Sequence, residues 1–269
     1  MKLAYYIENE SLKTDQGVKG MLSTLCGDGH SLVEVRSAED LPKDGDALLS
    51  FGGDGTFLSA AHFAARKGIP VLGVNFGRLG FLSENSPESV ISALRSGTYS
   101  LEDRSMLELT HPECDLLALN EVSVLRIGAA MLGVDISIDG QKIPTYWADG
   151  LLVATSSGST AYALSVGGPV CTPDAKVLVI APIAPHNLNV RPLVVPDNVE
   201  VGISLRSRDP EVRLTVDNRN LIIPSDSVVG IRSSERTLKR MVLGGNNFIN
   251  ALRSRLLWGQ DVRNISEKE

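Results

Sequence analysis

The chain is predicted to join an α/β domain to an all-β domain, and three observations predict this. Up to residue 98, short apolar runs alternate with helical stretches. From 99 to 235 the apolar residues recur with a period of two. The remainder, 236–269, returns to a helical pattern. Alternating strand and helix favours a parallel sheet, because parallel neighbours need crossover connections of a dozen or more residues, usually helical. Period-two runs separated by turn residues favour antiparallel strands with one face buried.

In the first domain the apolar runs 3–7, 32–35, 47–51 and 70–75 read as strands. Stretches 15–26, 56–67 and 87–96 read as helices. In the second, 122–126, 134–138, 199–205, 212–216 and 221–223 alternate as half-buried strands do. Asp139-Gly140 and Asp217-Asn218 supply turn chemistry, and Asn218 can adopt the left-handed conformation. Near the end, Phe248, Leu252 and Leu256 fall at i, i+4 and i+8, so 248–258 is expected to form an amphipathic helix packed back onto the first domain.

The 269 residues are 43% apolar, enough for substantial cores. A net charge of −6 without a Lys/Arg block argues against a nucleic-acid partner. With no apolar run of about 18 residues and a start that turns polar at Glu8, neither a membrane span nor an export signal is expected. Cys26, Cys114 and Cys171 are odd in number and lack a Cys-x-x-Cys pair. This fits a reducing cytoplasm and suggests neither a disulfide framework nor a structural zinc site. No His, Cys or carboxylate cluster reads as a protein metal site, and His30, His62, His111 and His186 are scattered.

The most informative stretch is Gly52-Gly53-Asp54-Gly55-Thr56, at the end of an apolar run and the start of a helix. Glycines let the backbone approach a ligand, and the open N–H groups and dipole of the helix favour anions. A carboxylate among phosphate oxygens would repel them unless it accepts a proton from a hydroxyl attacking phosphorus, with Mg²⁺ offsetting the charge. A helix N-cap also suits these residues. Asn75-Phe76-Gly77-Arg78-Leu79-Gly80-Phe81 follows the next strand, so both loops lie at carboxyl ends and are expected to face one crevice. Asn120-Glu121 precedes a β-like run. The stretch from Asp149 through Pro169 leads an apolar strand into six small or hydroxyl residues at 155–160 and then a short helix. Such a composition suits a sugar, an amide or a phosphate, and also a serine-rich turn.

Together these motifs resemble the NAD kinase family, whose members phosphorylate the adenosine 2′-hydroxyl of NAD to make NADP. The resemblance covers most of the chain in order, through Gly52–Thr56, Asn75–Phe81, Asn120-Glu121 and Asp149–Pro169. It continues through Ala181-Pro182-Ile183-Ala184-Pro185-His186 with Arg191-Pro192-Leu193, and Leu256-x-Trp258-Gly259-x-Asp261-x-Arg263. The first motif is shared with lipid kinases; the Thr155–Tyr162 segment combined with Asn-Glu is specific. The resemblance implies a Rossmann-like N-terminal domain, a β-sandwich-like C-terminal domain and a terminal helix returning to the first.

It also implies residue roles. Asp54 is the general base, with Gly52, Gly53, Gly55 and Thr56 around phosphates. Asn75, Phe76, Asn120, Glu121, Asp149, Ser157, Thr160, Ala161, Tyr162, Ser165, Ala184 and Arg219 line the NAD site. ATP or polyphosphate is the donor, Mg²⁺ arrives with it, and the chain assembles as a homodimer or homotetramer. Two positions depart from the family pattern. Asp217-Asn218-Arg219 stands where Asp-Gly-Gln is common, leaving Arg219 to a phosphate or to solvent. Trp147 replaces a residue that is often polar, to anchor the sheet or stack on a ring. The rival readings are a lipid kinase sharing the glycine-rich motif and a silent NAD(P)-binding regulator.

Overall fold

The computed structural model describes residues 1–77, 80–244 and 247–259. Arg78 and Leu79 of the second glycine motif, and Asp261 and Arg263 of the terminal one, lie outside these. The chain falls into two compact units, 1–102 with 239–269, and 103–238.

The first unit is built on a six-stranded sheet in the order Ser31–Glu34, Lys2–Ile7, Ala47–Phe51, Val71–Val74, Leu238–Leu243, Tyr99–Arg104. The first five strands pair in parallel, as the alternating pattern requires. Every residue of Ala47–Phe51 and Val71–Val74 is buried, the mark of central parallel strands covered on both faces. The helices cover those faces and begin on local signals. Asp15 accepts the Gly17 and Val18 N–H groups ahead of Gln16–Gly27. Ser86 caps Pro87–Ser96, which carries proline in its first turn and stops at left-handed Gly97.

Two departures from the sequence reading concern the last part of the chain. Strand Leu238–Leu243 was not foreseen; it enters the parallel sheet beside Val71–Val74 from the far end of the chain. The terminal helix is Phe248–Arg255, capped by Asn247, and stops three residues short of the expected end. Leu256 becomes its C-cap, Leu257 turns left-handed, and Trp258 is exposed, so the apolar stripe is carried by Ala251 and Leu252.

The second unit contains a seven-stranded and a six-stranded sheet, antiparallel throughout. The inward residues of both share one core, including Val134 and Ile203 from the first sheet and Val124, Val153 and Leu214 from the second. This is a sandwich. Gly150–Thr155 is buried along its whole length because its other face is covered too: Leu152 and Ala154 pack with Ala163 from the short helix Tyr162–Ser165. Trp147 is 42% exposed and lies across Gly133 of the adjacent strand, so it braces the sheet.

Candidate active site

In the first unit, the Gly52–Thr56 motif and the loop after Val71–Val74 share one cavity of about 440 Å³. Gly52, Gly53, Asp54 and Thr56 form one side, and Phe76, Gly77 and Gly80 contribute from the other loop. Gly52 is required by its shape: its φ is +150°, and a Cβ there would lie 2.6 Å from the Thr56 hydroxyl oxygen. Gly55 is exposed at the start of the helix.

Asp54 is the first residue of the helix Asp54–Ala65, and the N-cap position belongs to Gly53, which has no side chain to give. The capping alternative therefore fails. The Asp54 carboxylate instead reaches across the cavity, where Oδ2 accepts the Phe81 N–H at 2.8 Å and Oδ1 accepts those of Leu82 and Ser83 at 3.0 and 2.9 Å. Gly80 makes this approach feasible, since a Cβ there would sit 2.0 Å from Oδ1. A carboxylate offers about four lone-pair positions, so three N–H groups fix its plane and leave one, on Oδ2, for a further donor. Asn75 accepts the Gly77 N–H at 2.7 Å, closing the turn, and its own N–H donates to the Asn85 carbonyl. Phe76 is half-buried, its ring 5.8 Å from Phe51 by centroids; it is packing first and cavity wall second.

The second unit holds a separate cluster. Asn120 is buried, and Glu121 begins the strand Glu121–Arg126. Their backbone is held by a residue absent from the expected site, Asp217. Its carboxylate accepts the N–H groups of Leu119, Asn120 and Glu121 at 2.7, 2.9 and 3.1 Å. The left-handed turn falls on Asp217, with φ +51°, and not on Asn218; the Asp217 N–H then donates to the Glu121 carbonyl. Burial raises Asp217 to about 6, against the pull of those three donors and Arg219.

Burial, then the neighbouring Asp217 charge, pushes Glu121 up to about 8, with the Tyr162 N–H acting the other way. Asp217 accepts three backbone N–H groups and Glu121 only that of Tyr162, so the proton resides on Glu121. Glu121 Oε2 is buried and makes no hydrogen bond among the described residues. Tyr162 carries its phenol above the ordinary range, first through burial and then through Glu121 and Asp149, which places all three in one neighbourhood. Asp149, its side chain 37% exposed, pairs with Arg126 at 2.6 Å. Ser157 and Thr160 lie in the short 3₁₀ turn Ser157–Thr160, where Arg104 donates to Ser157. Ala161 joins that turn to the helix ending at Ser165, which is exposed. Ala184 is exposed at φ +46°, just after Ile183, whose carbonyl accepts the Asp149 N–H. Arg219 opens the strand Arg219–Pro224.

A pH effect follows from Glu121. Because its folded value of about 8 exceeds the ordinary 4.5, the folded chain holds a proton that the unfolded chain releases. The resulting penalty is absent below pH 4.5, grows as pH rises, and is complete above 8. Glu121→Gln carries no such penalty. Its Tm is expected to gain on that of the parent by several degrees between pH 5 and 9, as about 1 kcal/mol moves Tm by roughly 2–4 °C at this size. Thermal melts at matched ionic strength check this; a difference independent of pH contradicts it.

Residues 10–99 match the ATP-NAD kinase N-terminal domain, and residues 119–243 match the ATP-NAD kinase C-terminal domain. The chain is 41% identical over 229 residues to the NAD kinase of Flavobacterium johnsoniae, covering 81% of this chain and 78% of that one. An Archaeoglobus fulgidus NAD kinase solved in complex with ATP superposes with a TM-score of 0.77 at 29% identity, covering 96% of this chain and 98% of the other. A yeast NADH kinase complexed with NADH has the same fold, with a TM-score of 0.84 at 20% identity over 98% of this chain and 89% of that one. With both domain families matched in order and two-fifths of positions shared along most of its length, the chain belongs to the NAD kinase family.

Proposed function

We propose that this chain transfers the γ-phosphoryl group of ATP to the adenosine 2′-hydroxyl of NAD, yielding NADP and ADP. The observation that carries this reading is the Asp54 carboxylate, held rigid by three backbone N–H groups in a glycine-walled cavity at a helix N-terminus. The 2′-oxygen forms a bond to phosphorus as the bond from phosphorus to the β–γ bridging oxygen breaks, and the hydroxyl proton passes to the open lone pair of Asp54. Gly52, Gly53, Gly55 and Thr56 surround the donor phosphates, where the helix N-terminus favours negative charge.

Among the described residues no three His, Cys, Asp or Glu side chains gather as a cation site. Mg²⁺ bound to the donor triphosphate would neutralise phosphoryl oxygens during transfer.

In the second unit, the roles fall to groups with unused or reachable polarity. Glu121, with its unpaired Oε2, and Asn120 hold ribose hydroxyls. Asp149 and Tyr162 take an amide or amino group of the dinucleotide. Ser157, Thr160, Ala161, Ser165 and Ala184 offer small surfaces, and Arg219 a positive one. Asn75 and Phe76, in the first unit, are also assigned to the dinucleotide. No helix among the described residues is long and apolar enough to cross a membrane, and the three cysteines are unpaired. We place the enzyme in the cytoplasm, as a homodimer or homotetramer.

The test is turnover of NAD with ATP and Mg²⁺, followed by an NADP-specific dehydrogenase, with polyphosphate and with a lipid vesicle as alternative donor and acceptor. NADP from NAD and ATP supports the reading. Phosphorylated lipid, or tight NAD binding without turnover on any donor, contradicts it.

A further inference from the structure

The loop that holds Asp54 is itself held, by an ion cluster outside the glycine motifs. Glu84 lies one residue beyond Ser83 and pairs through Oε1 with Arg240 at 2.5 Å and through Oε2 with Arg255 at 2.6 Å. The three side chains are 7%, 8% and 10% exposed. Arg240 comes from the inserted strand and also donates to the Phe81 and Leu82 carbonyls at 3.2 and 3.5 Å. Arg255 comes from the last turn of the terminal helix, its guanidinium 5.2 Å from the centroid of Phe81. Of the three residues whose N–H groups face Asp54, two, Phe81 and Leu82, thus have a carbonyl or ring gripped by the arginines.

Stability alone does not account for this cluster. A buried ion pair often does no better than an apolar replacement, and Arg255 leaves Nε and Nη1 buried without a partner among the described residues. We infer that Glu84, Arg240 and Arg255 are positioning residues that set the orientation of the Asp54 carboxylate and tie the terminal helix to phosphoryl transfer. This inference rests on the base role of Asp54. Side chains that touch no substrate act here through geometry, and a displacement of the base by about 1 Å can cost roughly 10²-fold in rate.

The test uses the full chain with Glu84→Gln and Arg255→Ala, assayed where circular dichroism shows each folded. The expected result is a kcat lower by about 30- to 100-fold, with KM for NAD within about twofold of the parent. Guanidinium added to Arg255→Ala is expected to restore part of the lost kcat. Should Glu84→Gln fail to fold, Arg255→Ala with guanidinium rescue decides alone. A lower Tm with unchanged kcat, or a kcat loss matched by an equal rise in KM for NAD, overturns the inference. Asp54→Asn in the same series separates the two ideas. If it turns over normally, the base reading has failed; if it is inactive while the cluster variants are not, only the positioning role has failed.

Discussion

Replacing Asp54 by asparagine is expected to lower kcat by roughly a thousandfold, within the 10²–10⁴ range contributed by a positioned general base, while NAD affinity changes by less than about twofold. The separation follows from where the groups sit. Glu121, Asp149 and Tyr162, assigned to the dinucleotide, belong to the second unit, whereas the Asp54 carboxylate is engaged by the Phe81, Leu82 and Ser83 N–H groups of the first. The amide oxygen can still accept the Leu82 and Ser83 N–H groups, but its NH₂ then faces the Phe81 N–H, donor against donor. Asp54→Asn is therefore also expected to lose roughly 1–3 kcal/mol of stability, the usual cost of an unmet buried donor. Steady-state kinetics with calorimetric NAD titration reads both effects; unchanged kcat removes Asp54 from the base role.

Asp217→Ala is expected to have the largest effect on the second unit. It strands three N–H groups at once, those of Leu119, Asn120 and Glu121. It also leaves alanine at a φ of +51°, a conformation that aspartate and asparagine tolerate better. At about 1 kcal/mol for each lost bond, the variant should lose roughly 3 kcal/mol or more. Because Asn120 and Glu121 are released with the turn, NAD affinity should fall about tenfold or more, while Asp217→Asn, which keeps the turn, loses less. Urea unfolding and NAD titration of both variants check this. Equal stability of the alanine and asparagine proteins would mean the three bonds contribute little.

Much of the fold was legible because its signals are local. Glycines and apolar runs mark the strand ends at Phe51 and Val74. The proline and serine before Val90, and Gly97 after Ser96, bound a helix within a few residues. Period two announced the sandwich, since one-sided burial forces it. What the sequence concealed is long-range. The grip on Asp54 joins residues 27 to 29 apart, that on Asn120 joins residues 97 apart, and the arginines reach Glu84 across 156 and 171 residues. No spacing rule encodes such partners; Arg240, for one, meets Glu84 from strand Leu238–Leu243, which enters the sheet from the far end of the chain. The same holds for the turn at 217, where the left-handed residue is chosen by the bonds its carboxylate makes and not by its neighbour's propensity.

The most direct test of the whole account follows the phosphoryl group itself. ATP labelled at the γ-phosphate is incubated with the protein, NAD and Mg²⁺, and the labelled product is located by mass spectrometry and phosphorus NMR. The account predicts one label per dinucleotide, on the adenosine 2′-oxygen, appearing in step with ADP. Label released only as inorganic phosphate, or found on any other oxygen of the dinucleotide, would contradict it.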